Sequence, residues 1–368
     1  MIIVDYRLNE AGINMRVSNE IPFFKSQEIR ICRESLNIIL VAHVFEPRGI
    51  LNEEQIQCSQ TERFSVEEFN EIYQGIVNAG FFISQTFFNE LDLINEYLQN
   101  PKRFKDCVIY NLARNGVGNN KKAILPAFCE LVGLCYTSSS SFSCSLCRNK
   151  YYFSKLLEAH NIPVPKTWMQ VQNGKWLETP PPNNTIVIYK PFNESASQGI
   201  TIKNIIKYTG QEMGKGSGSL VQEYISGYEC EVPIIEIDHT IYTLPPVIID
   251  LEDNPIIDEI MSDNYSYGFQ DASDILHPDT ILLIEKYAKK TFRLLDMCNY
   301  GRIDFRINQS GLPYIFDVST MPYTIKHSSF AFSFQKIGLE YSDIYSSIIT
   351  AAISNRSNKI NNESSIYL

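Results

Sequence analysis

Two short stretches near the C-terminal end concentrate the side chains able to do chemistry: Gly301-Arg-Ile-Asp-Phe-Arg-Ile307 and Tyr314-Ile-Phe-Asp-Val-Ser319. Both read as strands, and the Gly311-Leu-Pro turn between them makes an antiparallel hairpin. Alternate side chains of a strand share a face, so Arg302, Asp304 and Arg306 point one way, and Asp317 and Ser319 share a face of the partner. Two carboxylates opposed across paired strands make an all-oxygen site of the kind Mg²⁺ takes, usually together with phosphates. Arg302 beside them could neutralise an oxyanion. Taken alone, the hairpin reads equally as a surface salt-bridge ladder.

A second stretch, Tyr189-Lys190-Pro191 followed by Asn193-Glu-Ser-Ala-Ser-Gln-Gly199, ends a strand in an ammonium and runs into a small-residue loop. Backbone N–H groups of such a loop, with the lysine, suit a polyphosphate. It is not a Walker loop, whose lysine follows the glycines; an ordinary hairpin loop is the alternative. A third, Gln222-Glu-Tyr-Ile-Ser-Gly-Tyr-Glu229, offers a strand edge, a turn at Gly227 and then a carboxylate. The edge could meet an adenine ring and Glu229 the ribose hydroxyls. The tract Gly214 to Ser219 reads as a flexible connection.

The elements that must carry these groups follow from pattern. Ser65-Val-Glu-Glu68 opens a capped helix, with the serine at the N-cap and Glu68 three residues on. A strand at Phe81, a helix over Asn89 to Leu98 and a strand at Val108 to Leu112 follow. This alternation predicts an α/β domain around a parallel sheet. Earlier residues yield only one apolar run, Leu36 to Phe45, of strand character. A serine run, Ser138 to Ser141, precedes a helical stretch over Leu146 to Ala159, which Pro163 and Pro165 stop. Thr185 to Lys190 and Leu220 to Ile225 read as strands, and the Asn- and Ser-rich end from Ser354 to Leu368 as a frayed tail.

A chain of 368 residues exceeds one ordinary core, so two or three domains are expected. The net charge of -10 argues against a general nucleic-acid binder. No run approaches a membrane span, and the start, Met1-Ile-Ile-Val-Asp-Tyr-Arg7, has no signal-peptide pattern. The nine cysteines lack a disulfide rhythm, so a reducing cytoplasm is expected. Cys144-Ser-Leu-Cys147 has redox or half-zinc spacing, but without a second pair or a nearby His it reads as two thiols at a helix start.

In order, Asn149-Lys150, Ile162-Pro-Val-Pro165, Lys190-Pro191, the small-residue loop, Gln222…Glu229, Gly301-Arg-Ile-Asp304 and Asp317-Val-Ser319-Thr-Met-Pro322 form a series. Over roughly residues 108–350 this series resembles the D-alanine–D-alanine ligase branch of the ATP-grasp superfamily. The resemblance implies an α/β (α+β ATP-grasp) fold with ATP between central and C-terminal domains. The boundaries expected are an N-terminal α/β domain at 1–138, a central lid domain at 139–221 and a C-terminal domain at 222–353, then the tail. It implies that Lys150 and Lys190 hold ATP phosphates, with Ala196 and Ser197 in the covering loop. Gln222, Glu223 and Ile225 would read adenine and Glu229 ribose. Asp304, Asp317 and Ser319 would bind Mg²⁺. Arg302 would steady an acyl phosphate and a tetrahedral intermediate, and the Tyr323 N–H could serve the oxyanion. His327 and Ser328 would grip the second substrate's carboxylate. The implied reaction joins a small-molecule carboxylate to an amine, on amino acids or small peptides, and a homodimer is expected.

Four departures bear on substrate. The metal strand reads Asp-Val-Ser where the family has Glu-Val-Asn, and Tyr323 stands where the family has Gly. The N-terminal glutamate that would hold the first substrate's ammonium is not recognisable, and Glu20, Glu28 and Glu34 are candidates by region only. The lid segment Asp258 to Ser273 carries Tyr265 and Tyr267 but no basic residue, within a gap from Lys215 to Lys286 that has no Lys or Arg. An acidic lid could face a cationic substrate; a solvated acidic loop is the plainer reading. Two other readings stay open: a D-alanine–D-alanine ligase with drifted motifs, and a catalytically weak ATP-binding regulator.

Overall fold

The structure, a computed structural model, describes residues 36–44, 62–116, 118–171, 174–191, 197, 199–211, 219–252 and 254–364. Ala196, Glu20, Glu28, Glu34, Phe45 and the tract 214–218 lie outside the described residues. Three sheets organise the rest. The first has strands β1 (Asn37–Ala42), β2 (Phe82–Phe87), β3 (Cys107–Leu112) and β4 (Cys135–Tyr136), all parallel in the order β2-β1-β3-β4. Its two central strands carry near-continuous apolar residues because both faces are covered, as parallel sheets require. The helix Val66–Asn78 leading to β2 opens with the capping box expected: Ser65 Oγ accepts from the Glu68 N–H at 3.1 Å, and the Ser65 N–H donates to Glu68 Oε2 at 2.6 Å.

The second sheet is antiparallel, order β5-β8-β6-β7, from β5 (Thr167–Gln170), β6 (Ile186–Lys190), β7 (Ile205–Lys207) and β8 (Ser219–Glu223). The third runs β12-β11-β9-β13-β14, with β10 on β9. Its strands are β9 (Tyr228–Ile237), β10 (Thr240–Thr243), β11 (Val247–Asp250), β12 (Gly268–Asp271), β13 (Tyr300–Ile307) and β14 (Pro313–Ser319).

Two departures from the sequence reading position the site. The helical stretch expected over Leu146 to Ala159 is two helices, Ser141–Arg148 and Lys150–Ala159. Asn149 is extended between them, and its side chain accepts from the Tyr152 N–H at 3.2 Å, so one helix ends and a capped one begins. Lys150 is thereby the first residue of a helix. The second departure is a β-bulge in the hairpin. Asp304 pairs with Asp317 but Phe305 pairs with Ile315, leaving Phe316 as the extra residue. Ile315 and Val318, three apart in sequence, therefore both face the core with Ile303 and Phe305. Strict alternation would have sent Asp317 to Ile315's side. The bulge turns Asp317 to the Asp304 side instead.

The final helix, Tyr341–Ser364, continues well past Ser354, where a frayed tail was expected. Asn355 explains part of this: it is buried and its Nδ2 donates to Asn299 Oδ1 at 2.9 Å and to the Glu236 carbonyl at 3.2 Å. Upstream, Ile344, Tyr345, Ile348 and Ile349 of this helix join residues of the first and third sheets in one core.

Gly227, at the turn into β9, has φ of +137°, and a Cβ there would lie 1.9 Å from the Ile307 carbonyl oxygen. Gly227→Ala is expected to lower the melting temperature by several degrees, since such backbone strain alone costs on the order of 1–3 kcal/mol. A thermal-unfolding scan of the variant beside the parent checks this; an unchanged melting temperature would contradict it.

Candidate active site

Across the middle of the third sheet the pairing registers align functional side chains in rows. Glu231 of β9 lies opposite Asp304 of β13, which lies opposite Asp317 of β14. Two register positions on, and so on the same face, Glu229 lies opposite Arg306. Three carboxylates in a row repel one another, so the row stands only because cations reach it. Arg302 clamps Asp304 through two parallel bonds, Nε to Oδ1 at 2.7 Å and Nη2 to Oδ2 at 2.8 Å, and its Nη2 lies 3.0 Å from Glu231 Oε1. Lys150, from the helix start made by the Asn149 break, puts Nζ 2.5 Å from Asp317 Oδ1. Lys190, at the end of β6, sits with its ammonium 5.4 Å from the centre of the Phe316 ring.

Protonation follows from burial set against these charges. Burial pushes the Lys190 ammonium down to about 7, helped by the Lys150 charge and opposed by Asp317. Burial would raise Asp317, but Lys150 and Lys190 hold it below the usual aspartate range. Glu231 is pushed by burial up to about 7 against the pull of Arg302, with the Asp304 charge adding to the rise. The cluster is thus poised to gain from charge brought in by a ligand: a polyphosphate would favour the charged form of Lys190, and a divalent cation the ionised carboxylates.

Glu229, Glu231, Arg302, Asp304, Asp317 and Lys150 line a cleft of about 940 Å³, together with Ser197, Ser319, Tyr323 and the lid tyrosines Tyr265 and Tyr267. Beside it lies a slot of about 90 Å³ that shares Lys150, Ser197, Glu229, Phe316 and Asp317. Lys190, Gln222, Glu223 and Ile225 line this slot, with Ile188 and Ile256 as apolar walls. No hydrogen bond from the Ile225 N–H occurs among the described residues, which leaves it available to a ring nitrogen. Arg306 builds the slot's floor. Its guanidinium donates to the Ile225, Gly227 and Pro255 carbonyls at 3.1, 3.0 and 3.0 Å and meets Glu229 Oε2 at 3.1 Å.

Of the residues singled out from sequence, Lys150, Lys190, Ser197, Gln222, Glu223, Ile225, Glu229, Arg302, Asp304, Asp317, Ser319 and Tyr323 converge on the cleft and slot. His327 and Ser328 do not line either. Ser328 caps the helix Ser329–Lys336, accepting from the Ala331 N–H at 3.2 Å and donating to the Ile325 carbonyl at 2.6 Å. The His327 ring is nested among Tyr265, Tyr267 and Phe269 at 5.1, 5.0 and 4.9 Å, and burial lowers its pKa, which favours the neutral ring. Among its ring neighbours, Tyr265 and Tyr267 line the cleft. The Tyr323 ring turns toward the N-terminal wall, edge-on to Phe64 at 5.4 Å and under the Arg114 guanidinium at 4.6 Å. The lid is latched by the Tyr265 hydroxyl, which donates to the Glu68 carboxylate.

Sequence reasoning missed Glu231 and the structural part of Arg306. The spacing Glu229-Cys-Glu231 was a usable signal, because it places both glutamates on one strand face. It also missed Glu62, Arg114, Lys122 and Arg148, which line the cleft's far wall from separate segments.

Residues 156–350 match the family described as D-ala D-ala ligase C-terminus. An uncharacterized protein of Sinorhizobium fredii is 24% identical over 259 residues, covering 67% of this chain and 74% of the relative. A D-alanine–D-alanine ligase of Bordetella petrii is 24% identical over 237 residues, 61% of this chain and 69% of the relative. Among solved structures, the D-alanine–D-alanine ligase of Bacillus anthracis complexed with ATP superposes with a TM-score of 0.62 at 18% identity, covering 88% of this chain and 99% of that one.

The Arg306–Glu229 pair is expected to hold the slot together. Arg306→Met strands a buried carboxylate and should cost about 3–5 kcal/mol of stability, and Glu229→Gln in the same background should recover part of it. Urea denaturation of the two single variants and the double variant measures the coupling; additive effects would contradict it.

Proposed function

We infer the chemistry of this cleft from one premise: the chain belongs to the D-ala D-ala ligase family. It has the ATP-grasp fold and is an ATP-dependent ligase that joins a carboxylate to an amine. The observation that carries the assignment of residues is the charge-balanced row Glu231–Asp304–Asp317 with Arg302, Lys150 and Lys190 against it.

In this reading adenine lies in the slot against Ile188 and Ile256, meeting the N–H of Ile225, and Glu229 takes the ribose hydroxyls. Lys150 and Lys190 hold the phosphates. A carboxylate oxygen of the first substrate attacks the γ-phosphorus, the bond to the β-phosphate oxygen breaks, and ADP leaves. The amine then attacks the acyl carbon, and phosphate leaves carrying the former carboxylate oxygen. Arg302, fixed in plane by Asp304 and Glu231, keeps its remaining donors for the oxyanion that forms as the amine adds, beside the Tyr323 N–H. Asp304, Asp317 and Ser319 offer oxygen donors only, which fits a hard cation. Mg²⁺ held there would offset charge on the phosphate oxygens. The substrates proposed are an amino acid or small peptide acid and an amine; a cytoplasmic homodimer of three-domain subunits belongs to the same proposal.

Sustained release of phosphate from Mg·ATP by the purified protein, over many turnovers, should require an acid and an amine together. Arg302→Met should lower kcat about 10²–10³-fold, the usual effect of losing an oxyanion donor. Steady-state kinetics over pooled acids and amines measures both. Release independent of either substrate, or an Arg302→Met enzyme as fast as the parent, would overturn the assignment.

A further inference from the structure

The lid segment Asp258 to Ser273 carries two of the cleft's tyrosines, Tyr265 and Tyr267, on a short scaffold. Its helix, Glu259–Asn264, has six residues, too few to stand without tertiary support. Met261 packs with Ile249 and Leu251, and the Glu259 N–H donates to the Ile200 carbonyl at 3.0 Å. Tyr265, which ends the helix, has a φ of +50°, a left-handed conformation that bulky L-residues rarely adopt. Such a conformation persists where the surroundings impose it. At Tyr265 they include the Glu68 carboxylate, which accepts from the hydroxyl, and the His327 ring, edge-on at 5.1 Å.

The same imidazole lies 5.0 Å from the Tyr267 ring and 4.9 Å from that of Phe269, so it faces three aromatic side chains of the lid. Its Nε2 is buried without a hydrogen-bond partner among the described residues, while the Tyr267 backbone hydrogen-bonds to the ring. Ring packing and one backbone bond therefore join His327 to the lid. The loop beneath it is fixed from several sides. The Thr324 carbonyl accepts from the Tyr341 and Tyr345 hydroxyls at 3.0 and 2.8 Å, and the Lys326 N–H donates to Glu71 Oε2 at 2.9 Å. Ile325 is buried in the core that joins the first and third sheets, and Ser328 caps the next helix. The His327 ring thus passes the position of a firmly held loop to a lightly built lid.

We propose that His327 is a positioning residue of the ligase reaction: its ring holds Tyr265 and Tyr267 over the cleft, so that the amine and not water takes the acyl phosphate. The proposal rests on the ligase reading, which supplies the acyl phosphate. Water adding to the acyl carbon releases phosphate, returns the acid and forms no amide. A loosened lid would therefore let ATP be hydrolysed without product. The grip on a substrate carboxylate expected of His327 gives way to a role exerted through the two tyrosines.

Two measurements on His327→Ala and His327→Phe test it, the second variant keeping a ring among the three. The first is amide hydrogen exchange on the protein with Mg·AMP-PNP. His327→Ala should exchange about tenfold faster than the parent across residues 257–269, the effect of losing ring contacts on a local opening, with β9 and β13 unchanged. His327→Phe should return most of the protection. The second is turnover of Mg·ATP with a pool of the common L-amino acids and D-alanine, serving as both acids and amines. The parent should release one phosphate per dipeptide formed, His327→Ala phosphate in excess of dipeptide, and His327→Phe a ratio close to the parent's. A role confined to stability would lower the melting temperature and leave that ratio at one. The proposal is overturned if His327→Ala keeps the parent's lid exchange or its ratio, or if His327→Phe is no better than His327→Ala. A parent that forms no dipeptide would count against the ligase reading instead, and the exchange of the lid would still decide whether His327 holds the tyrosines.

Discussion

The constraint on which the site depends is electrostatic: three carboxylates, Glu231, Asp304 and Asp317, stand in register on adjacent strands of one sheet. Left alone they would protonate or push the strands apart. Arg302 binds two of them from within the same sheet, and Lys150 and Lys190 reach the third from outside it. Much else in the fold can be read as the means of delivering those two lysines. Lys150 arrives because Asn149 ends one helix and caps the next; Lys190 arrives because β6 ends at that residue. Removing water from such a cluster makes every charge in it count for more, which is the condition under which fixed groups stabilise a transferring phosphoryl group.

The β-bulge at Phe316 is the backbone device that makes the row possible. A regular hairpin would place Asp317 on the side of Ile315, which is fully buried in the core. With the bulge, the apolar residues Ile315 and Val318 keep to one face while Phe316 and Asp317 both line the cleft. Arg306 does the corresponding work at the other end of the strand. Its contacts with three backbone carbonyls and Glu229 fix the turn at Gly227 and with it the slot.

Much of the site was legible because its signals are local. Strand alternation in Arg302, Asp304 and Arg306, the lysine ending Tyr189-Lys190, and the order of the motifs are all properties of short segments. The capping box at Ser65 and Glu68 was readable for the same reason. What escaped depends on pairing or on distant segments. Alternation alone could not show the bulge, since the extra residue is visible only once both strands are aligned. The break at Asn149 was hidden because apolar periodicity continues through it. The wall holding Glu62, Arg114, Lys122 and Arg148 was invisible because these residues meet only when the segment before the helix Val66–Asn78, the connection after β3 and the end of the helix Ser141–Arg148 converge. His327 and Ser328 were chosen by order along the chain, and order does not say whether a side chain faces the cleft or, like Ser328, turns back to cap its own helix.

The central claim is that a carboxylate oxygen attacks ATP and leaves with the phosphate. Its most direct test follows the oxygen. The acid substrate is labelled with ¹⁸O in its carboxylate, turned over with Mg·ATP and the amine, and the released phosphate is analysed by mass spectrometry. One labelled oxygen per phosphate is the result predicted for an acyl phosphate intermediate. Phosphate that carries no label, its fourth oxygen taken from solvent, would mean that water, not the substrate carboxylate, attacks the nucleotide, and the ligase account of this cleft would fall.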